Sequence, residues 1–452
     1  MRGFRSWRRH VKILVVSNGY PPRGRFGTEF YARALVHGLR SRGHSVEVLH
    51  PVRDSQAPRY SLETVEEEGV PVHLLHNSGD TGAGFEASYR DREVERVFGD
   101  LLRAGKFDLV HCVYLLWGLS IGLPATARSL GVPLVLTATD HSLVCHRGQM
   151  FDYSLQHCGG PRDAATCAKC IRTPAPYDLA PLPLALKSCA VSALSLLGGL
   201  GKVVTRRDVE AREIAVREAL GQACHVIAPT APIGAALLKR GLDANKLSEL
   251  VYSFDEGPYA AVRSIAPPTS VRIGFLGQLA PHKGLATLID AARVLARERG
   301  PDSFELVLHG APSEGRHREF ARRVLSQVEP ARVTRGAPFG PDQAPEILAG
   351  FSALAVPSLW DENAPLAVLQ SRAAGVPILG SAVAGIRAVV EDPQHGRLIE
   401  PGDVSAWARA MGEVVDGKVP RLQSPGLPLS LAAHLDTLEA IYGSQRASQE
   451  ER

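Results

Sequence analysis

The feature that most constrains the fold is an alternation of short apolar segments with helical patterns, which occurs twice along the chain. In the first half, helical repeats such as "EFYARALVHGLRSRG" separate β-branched segments at residues 11–17, 44–49, 107–112, 132–138 and 224–229. The second half repeats the pattern at residues 271–277, 304–310, 352–357 and 376–381. Near-continuous apolar strands between helices are typical of parallel sheets covered on both faces. The sequence therefore predicts an α/β protein with two Rossmann-like domains.

A proline- and serine-containing linker separates the two halves. The segment "RSIAPPTS" covers residues 263–270, and a chain of 452 residues is long enough for two or three domains. We expect a first domain over residues 1–262 and a second over residues 263–425. Residues 426–452 contain the helical pattern "LSLAAHLDTLEAIYG" after a proline-rich break. This last helix is expected to return to the first domain.

Charge and hydropathy argue against a nucleic-acid-binding protein and against a protein that spans a membrane. The chain has 51 basic and 47 acidic residues, and this balance is too mild to predict nucleic-acid binding. The basic start "MRGFRSWRRH" lacks the apolar core of a signal peptide, so it is either a frayed tail or a weak contact with an acidic membrane surface. The apolar stretch at residues 182–200 is interrupted by Pro183 and Lys187, which favours a buried or interface-lying helix over a spanning one. We expect a cytoplasmic protein, peripheral at the inner membrane face if the arm binds lipid.

The segment "PSLWDENAPLAVLQSRAAGVPILGS" (357–381) places polar residues between a strand and a helix. From Pro365 the apolar residues follow helical spacing, and Gly375 suits the end of that helix. We expect Pro365 at the first helical position. Glu362 then lies where the strand ends and the helix begins, and such junctions bind ligands in α/β proteins. Gln370 is a polar residue two turns into this helix, close to its apolar face.

A second strand-to-helix turn carries a lysine between glycines. Neither half contains the dinucleotide fingerprint G-x-G-x-x-G, but "GQLAPHKG" follows the strand at 271–277. Gly277, Lys283 and Gly284 belong to a turn that opens onto a helix N-terminus, where backbone N–H groups and the helix dipole favour a phosphate. Taken alone, Lys283 is equally consistent with a solvated surface lysine.

Four separated motifs together resemble the family-four retaining glycosyltransferases of GT-B fold. They are "PRGRFGTE", "GQLAPHKG", "PSLWDENAPLAVLQSRAAGVPIL" and "HGRLIEPGD", and the resemblance runs from about residue 11 to the final helix. It implies two Rossmann-like domains that face each other across a cleft. The first would bind an acceptor, and the second would bind a nucleotide-sugar. The implied activity is a hexosyltransferase-type transfer to a glycan, lipid or small-molecule acceptor, with retention.

The resemblance also implies a role for each matching residue. Lys283 would neutralise the donor diphosphate, and Glu362, the first acid of the E-x7-E pair, would hold the donor sugar near its reacting carbon. Asp140, retained from a T-x-H-D-x-W stretch, is placed with Glu362 as catalytic. The other implied donor-binding residues are Gly27 in the N-terminal loop, Gly277, Gln278, the backbone of Asn363, Ala364, Pro365 and Leu366, and Gln370 near the ribose. No cofactor is implied for catalysis, and the expected partners are a nucleotide-sugar and an acceptor, without nucleic acid.

Four positions depart from the family's pattern. Gln278 replaces a phosphate-binding Arg, Gln370 replaces the second Glu, Thr139 replaces a His, and Ala388 replaces a frequent Glu. A non-catalytic nucleotide-sugar-binding relative would explain these changes and stays open as an alternative. An epimerase or a phosphorylase of the same fold is a further alternative, although the first half lacks an obvious pair of acids.

Four cysteines lie in an insertion within the first domain, at about residues 141–175. Cys145, Cys158, Cys167 and Cys170 are separated by twelve, eight and two residues. A close pair such as "CAKC" with two more cysteines is typical of a structural zinc site. Reduced thiols and disulfides are the alternatives, and a cytosolic location disfavours disulfides.

Overall fold

The structure is a computed structural model that describes residues 10–24, 27–53, 56–77, 84–153, 156–160, 162–173, 204–311, 316–391, 393–423 and 425–450. Its strands form an eight-stranded sheet and a six-stranded sheet. The basic arm over residues 1–9 and the apolar stretch over residues 182–200 lie outside the described residues.

The first sheet has the spatial order β3-β4-β2-β1-β5-β6-β7-β8. All neighbours are parallel except the β3–β4 pair, which is an antiparallel hairpin at the sheet edge. The strands are β1 Lys12–Val16, β2 Ser45–Val52, β3 Leu62–Glu67, β4 Val70–His76, β5 Leu109–Cys112, β6 Leu134–Thr137, β7 His225–Ala228 and β8 Leu247–Glu249.

Helices cover the first sheet and connect its parallel strands. Local caps start several of them: the Asp91 side chain accepts from two backbone N–H groups, and Thr205 and Asp208 form a capping box. The helices are α1 Gly27–Ser41, α2 Arg92–Gly105, α3 Leu123–Ser129, α4 Ala164–Arg172, α5 Arg206–Gln222 and α6 Ala231–Lys239.

The second sheet is parallel throughout, in the order β11-β10-β9-β12-β13-β14. Its strands are β9 Arg272–Leu276, β10 Glu305–His309, β11 Val333–Arg335, β12 Ala353–Val356, β13 Ile378–Ser381 and β14 Gly396–Ile399. The accompanying helices are α7 Gly257–Val262, α8 Leu285–Arg299, α9 Arg316–Leu325, α10 Ala344–Ala349, α11 Leu366–Ala374, α12 Ala384–Arg387 and α13 Val404–Val415.

The nine strands that the apolar segments predict are all present, each within a few residues of its predicted limits. Strands β3, β4, β8, β11 and β14 were not predicted from the sequence. Strand β3 carries four acidic or polar side chains because it forms the sheet edge, so its pattern is not apolar. Strands β8 and β11 have only three residues each. Strand β14 lies in the first part of the segment "HGRLIEPGD", directly before its turn.

The last helix, α14 Leu431–Glu450, returns to the first domain as expected and packs beside α1. The Tyr31 hydroxyl donates to His434 Nε2 at 3.1 Å, and the hydroxyl of Tyr442 lies 2.6 Å from His111 Nδ1. Burial lowers the pKa of His111 to about 3, so this contact is between neutral groups. The helix therefore ties the end of the chain to the first sheet through buried polar contacts.

The two sheets contribute side chains to one apolar core, and the chain also connects them directly. One cluster of buried side chains includes Val15 of the first sheet, Leu354 of the second and Leu438 of α14. The predicted domain limits remain a prediction, although β8 ends and β9 begins on either side of residues 263–270. No helix among the described residues is apolar over enough length to span a bilayer.

Candidate active site

The strand order of the second sheet places two loops side by side. Strands β9 and β12 are neighbours although β10 and β11 lie between them in the chain, so the direction of winding reverses at this pair. Ligands of α/β sheets bind at the carboxyl ends of strands at such a reversal. Lys283 follows β9 and Glu362 follows β12, so topology alone brings these two predicted residues together.

Gly284 allows the two loops to approach closely. A Cβ on Gly284 would lie 1.8 Å from the carbonyl oxygen of Pro357, and its φ of 72° is in the left-handed region. The N–H of Leu359 donates to the carbonyl oxygen of His282 at 2.8 Å. Position 284 therefore requires glycine, because only glycine combines this left-handed conformation with so close an approach to Pro357.

Lys283 and Glu362 form an ion pair at the centre of the site. Lys283 Nζ lies 2.7 Å from Glu362 Oε1, and the Ser358 hydroxyl donates to the same oxygen at 2.5 Å. The Glu362 side chain is 5% exposed, whereas that of Lys283 is 23% exposed and lies over the Trp360 ring at 4.9 Å. A buried carboxylate thus holds a partly accessible ammonium, which can turn towards an anionic ligand.

The turn after Glu362 adopts a restricted backbone. Ala364 has a φ of 52°, a left-handed value that non-glycine residues rarely adopt. A Cβ on Gly385 would lie 1.6 Å from the carbonyl oxygen of Glu362, so α12 packs directly against this turn. Pro365 is the N-cap and Leu366 is the first helical residue, which corrects the predicted helix start by one position. The reason is the extended ψ of 128° at Pro365.

The N-terminus of α11 presents backbone donors at the same place. Within the described part of the chain, the N–H groups of Asn363, Ala364 and Leu366 donate to no backbone carbonyl. Leu366 belongs to the first turn of α11, where N–H groups have no intrahelical acceptors, and Asn363 and Ala364 belong to the turn just before Pro365. An anionic ligand at this helix start can accept from all three. This geometry is compatible with the predicted phosphate contacts of residues 363–366.

The loop after β9 carries the other predicted phosphate-side residues. Gly277 has a φ of 155°, and its N–H donates to the carbonyl oxygen of His309 at 3.1 Å. A Cβ on Gly310 would lie 1.8 Å from the carbonyl oxygen of Gly277. Gln278 is half-buried in this loop, five residues before Lys283. The loop thus brings a neutral amide to the position where the family has a cation.

Gln370 lies on the buried side of α11. It is 6% exposed, and its side chain is hydrogen-bonded with Tyr259, which is itself buried. The polar residue near the apolar face of the helix therefore has a partner on α7. A glutamate at this position would lose most of its hydration, which raises the pKa of a carboxyl group.

Asn363 connects the donor-side turn to the first domain. Asn363 Nδ2 donates to the carbonyl oxygen of Ala138 at 2.7 Å, and the Thr230 hydroxyl donates to Asn363 Oδ1 at 3.0 Å. A Cβ on Gly27 would lie 3.7 Å from the side chain of Leu366. Gly27, which was expected in the N-terminal loop, is the first residue of α1, and it meets the start of α11 across the cleft.

Two histidines of the first domain bind Asp361, the neighbour of Glu362. His141 Nε2 donates to the carbonyl oxygen of Asp361 at 3.0 Å, and His157 Nε2 lies 2.5 Å from Asp361 Oδ2. The hydrogen bond from His157 lowers the pKa of Asp361, and Asp361 raises the pKa of His157. His141 is 3% exposed, and burial lowers its pKa, so it bonds as a neutral imidazole.

Asp140 is held by neighbours in its own domain. The Tyr114 hydroxyl donates to Asp140 Oδ2 at 2.8 Å, and the N–H of Ser142 donates to Asp140 Oδ1 at 2.8 Å. Thr139, which stands where the family has a His, donates through its hydroxyl to the carbonyl oxygen of Val113 at 2.8 Å. Both side chains stabilise the loops after β5 and β6, and the catalytic role of Asp140 remains a prediction.

A polar cavity of about 510 Å³ lies at the carboxyl ends of β1, β2 and β4. His50, Asn18 and Glu29 line it, together with Arg53. His50 Nδ1 lies 3.0 Å from the carbonyl oxygen of Pro51 and is the donor, and burial lowers the pKa of His50 to about 4. Its buried Nε2 has no hydrogen-bond partner among the residues described and can accept one from a ligand.

The four predicted metal-binding cysteines lie in one region. Burial raises the pKa values of Cys158, Cys167 and Cys170, and the nearby thiol of Cys145 raises each of them further. The Cys158 thiol donates to the carbonyl oxygen of Gly160 at 3.0 Å. Among the described residues, no three His, Cys, Asp or Glu side chains are arranged to hold a metal ion. The thiols are thus neighbours without a coordination geometry, and zinc remains a prediction.

We expect one zinc ion per chain when the protein is purified without chelator, since thiolates would converge on the ion. Elemental analysis should show its loss in the Cys167→Ser/Cys170→Ser variant and its retention in Cys224→Ser. Cys224 is a suitable control because it is also partly buried but donates to Leu134 on the first sheet. A metal-free wild type that is as stable as the zinc-supplemented protein would contradict the prediction.

Sequence reasoning missed the residues that cross the cleft. Asp361 and Asn363 lie inside a recognised motif, but nothing in the sequence indicates that His141, His157 or Thr230 would bind them. Their contacts join residues that are 133 to 220 positions apart. The single available signal was the position of His141 beside Asp140.

Two family models match the chain, one over most of the first sheet and the other over the second. One, described as "Glycosyl transferase 4-like domain", matches residues 26–250, and the other, "Glycosyl transferases group 1", matches residues 270–416. The fold and the paired Lys283 and Glu362 agree with this class. The chain belongs to the family-four, group 1 glycosyltransferases and has their GT-B fold.

Relatives agree with this family, and solved structures share its fold. The D-inositol 3-phosphate glycosyltransferase of Salinispora tropica is 24% identical over 434 residues, which cover 92% of this chain and 80% of the relative. The α,α-trehalose 6-phosphate synthase from Burkholderia multivorans has a TM-score of 0.62 at 13% identity, over 97% of this chain and 100% of that one. An Anabaena protein in complex with UDP-glucose has a TM-score of 0.56 at 15% identity, over 98% and 99%. This protein is a glycosyltransferase.

Proposed function

We propose that this glycosyltransferase moves a hexosyl group from a nucleoside-diphosphate sugar to a hydroxyl group of its acceptor, with retention of anomeric configuration. The observation that carries the proposal is the Lys283–Glu362 pair, 2.7 Å apart at the reversal point of the second sheet. It combines a cation suited to a diphosphate with a carboxylate suited to sugar hydroxyls. The retaining outcome rests on the resemblance to retaining enzymes.

The diphosphate of the donor is proposed to bind between Lys283 and the start of α11. Departure of the sugar leaves negative charge on the diphosphate, so a positioned ammonium and backbone N–H groups lower the barrier. The N–H groups of Asn363, Ala364 and Leu366 are available for this role. The cleft also excludes water, which would otherwise capture the activated sugar.

The donor sugar and ribose are proposed to bind on either side of this diphosphate site. Glu362 accepts hydrogen bonds from sugar hydroxyls once Lys283 turns to the phosphates. Gln370, on the next turns of α11, bonds to ribose hydroxyls through its amide in exchange for Tyr259. These bonds are weaker than those of a carboxylate, because neutral hydrogen bonds contribute about 0.5–1.5 kcal/mol and charged ones about 1.5–3 kcal/mol.

The acceptor is proposed to enter the polar cavity of the first domain. That cavity offers a neutral imidazole acceptor at His50 Nε2 and carboxylate and amide groups at Glu29 and Asn18. Such groups recognise a polyhydroxylated molecule, and a glycan, a lipid-linked sugar or a small polyol would satisfy them. The inositol 3-phosphate named for the Salinispora relative belongs to this chemical class.

The activity can be tested with purified protein and a panel of nucleotide-sugars. We expect release of nucleoside diphosphate that depends on one donor and increases with a hydroxylated acceptor. Mass spectrometry of ligands retained through purification would identify the donor base and sugar. NMR of the product would show retention. A protein that binds nucleotide-sugars but never consumes them would contradict the proposal and favour a non-catalytic relative.

The paired replacements at Gln278 and Gln370 give a separate prediction. Gln370→Glu alone should improve donor binding little, because the carboxyl group would be desolvated at a 6% exposed position. Gln278→Arg together with Gln370→Glu should improve it by more than the sum of the single changes, through the added cation. Calorimetry on the four proteins of this double-mutant cycle measures the coupling. Strict additivity would mean that the two replacements are unrelated.

A further inference from the structure

Glu362 is positioned from two directions. Its own carboxylate is held within the second domain by Lys283 and Ser358. The residues before and after it are instead held by the first domain, since Asp361 binds two histidines and Asn363 binds Ala138 and Thr230. The backbone on both sides of Glu362 is therefore fixed by groups that lie across the cleft.

We propose that His157 and Asp361 are positioning residues that place Glu362 against the donor sugar when the two domains close. The inference rests on the proposed function of the same site. It assigns a role to His157, which lies outside the four motifs, and to Asp361, which lies inside one of them without an implied role. His157 belongs to the Cys-rich segment, of which the structure describes residues 141–153, 156–160 and 162–173. This segment thereby acts as an arm from the acceptor-side domain to the donor-side turn.

The arm has a defined local structure next to His157. Phe151 and His157 form an antiparallel bridge, and the N–H of Cys158 donates to the carbonyl oxygen of Met150 at 2.9 Å. The base of the arm is anchored by Arg212, which is buried and donates to the carbonyl oxygen of Ser142 at 2.6 Å. The imidazole is therefore presented from a fixed support.

Asp361 is held at both its backbone and its side chain. His141 binds the carbonyl oxygen, and His157 binds the carboxylate, so the peptide that joins Asp361 to Glu362 has little freedom to rotate. The left-handed Ala364 and the close packing of Gly385 restrict the turn on the other side. Loss of the His157 bond would leave the His141 bond in place and loosen the turn without unfolding it.

The expected effect is moderate because His157 is partly exposed. Its side chain is 41% exposed and that of Asp361 is 20% exposed, so solvent weakens the attraction. We expect His157→Ala to lower kcat about two- to fivefold. The affinity for free nucleoside diphosphate should stay unchanged, because Lys283 and the start of α11 are untouched. His157→Gln, which keeps an N–H donor, should restore most of the rate.

Two pairs in this chain serve as matched controls. His37 and Glu68 form an exposed pair at 2.8 Å within the first domain, so His37→Ala should leave kcat unchanged. Arg33 and Asp342 form a pair at 3.2 Å that crosses between the domains without touching Glu362. If His157 acts through the turn and not through closure in general, Asp342→Asn should have no comparable effect on kcat.

Amide hydrogen exchange supplies a readout that does not depend on activity. Peptides that cover residues 358–366 should exchange about two- to fivefold faster in His157→Ala than in wild type, and peptides from α8 and α13 should not change. If the wild type is active and His157→Ala has the same kcat and the same exchange rates as the wild type, the positioning role is refuted but the proposed function is not. Failure of His157→Gln to restore the rate, or an equal loss in Asp342→Asn, would also overturn it. An inactive wild type would instead refute the proposed function, and the exchange comparison would still decide the positioning role.

Discussion

Glu362→Gln is expected to lower kcat by roughly 100-fold or more while it tightens the binding of free nucleoside diphosphate. The loss of rate is the size expected when one preorganised electrostatic group is removed from a reacting centre. The gain in affinity follows from the ion pair, because Lys283 no longer has to leave a carboxylate 2.7 Å away before it binds the phosphates. Steady-state rates and calorimetry with the free diphosphate measure the two effects separately.

Because kcat should fall while the affinity for the free diphosphate rises, this prediction is specific to the proposed geometry. The glutamine keeps the shape of the side chain and can still accept from Ser358, so the fold should be preserved. Glu319→Gln is a suitable control, since Glu319 is exposed on α9 and pairs with Arg322. Equal losses in rate and in diphosphate affinity would show that Glu362 contacts the phosphates or maintains the fold, and would refute its assignment to the sugar.

Lys283→Ala is expected to weaken nucleoside-diphosphate binding by about 1.5–3 kcal/mol, or roughly ten- to a hundredfold in Kd. This is the range for a hydrogen bond to a charged group. The single change also leaves Glu362 buried without its cation, which repels the diphosphate and destabilises the fold. Calorimetry on the single and double variants would separate these causes.

The double variant Lys283→Ala/Glu362→Gln removes the buried negative charge and isolates the direct contact. It should bind more tightly than Lys283→Ala but less tightly than Glu362→Gln. Lys418→Ala provides the control, because Lys418 is exposed in the same domain and pairs with Asp416 at 3.1 Å. Unchanged affinity in Lys283→Ala, with normal thermal stability, would show that Lys283 does not contact the diphosphate.

Much of the fold could be predicted because its strands are buried on both faces. Segments such as 13–16 and 353–356 are apolar throughout, and such runs are recognisable without knowledge of their neighbours. Strand β3, "LETVEE", could not be recognised because it lies at the sheet edge with mostly polar side chains. The first residue of α11 depends on one backbone dihedral, the ψ angle of Pro365, and propensity alone does not determine that angle.

Some residues of the candidate site could likewise be identified from the sequence, and others could not. Lys283, Gly284 and Glu362 were identifiable because each lies in a short motif at a strand-to-helix turn. The partners of Gln370 and Asp140 were not identifiable, since Tyr259 and Tyr114 are far from any motif. The cysteine spacing predicted a zinc site, and the structure brings the thiols near one another without a coordination geometry among the described residues.

The sequence by itself determined the elements and their local chemistry: which segments form buried strands, where the chain turns, and which turns carry charge. These properties depend on neighbours within a few residues, because backbone preference and hydrophobic periodicity are local. Only the tertiary structure decided that His141, His157 and Thr230 hold the residues beside Glu362. Those contacts depend on how two sheets approach across a cleft, and their relative placement is set by packing of the whole core and of α14, which no short segment encodes.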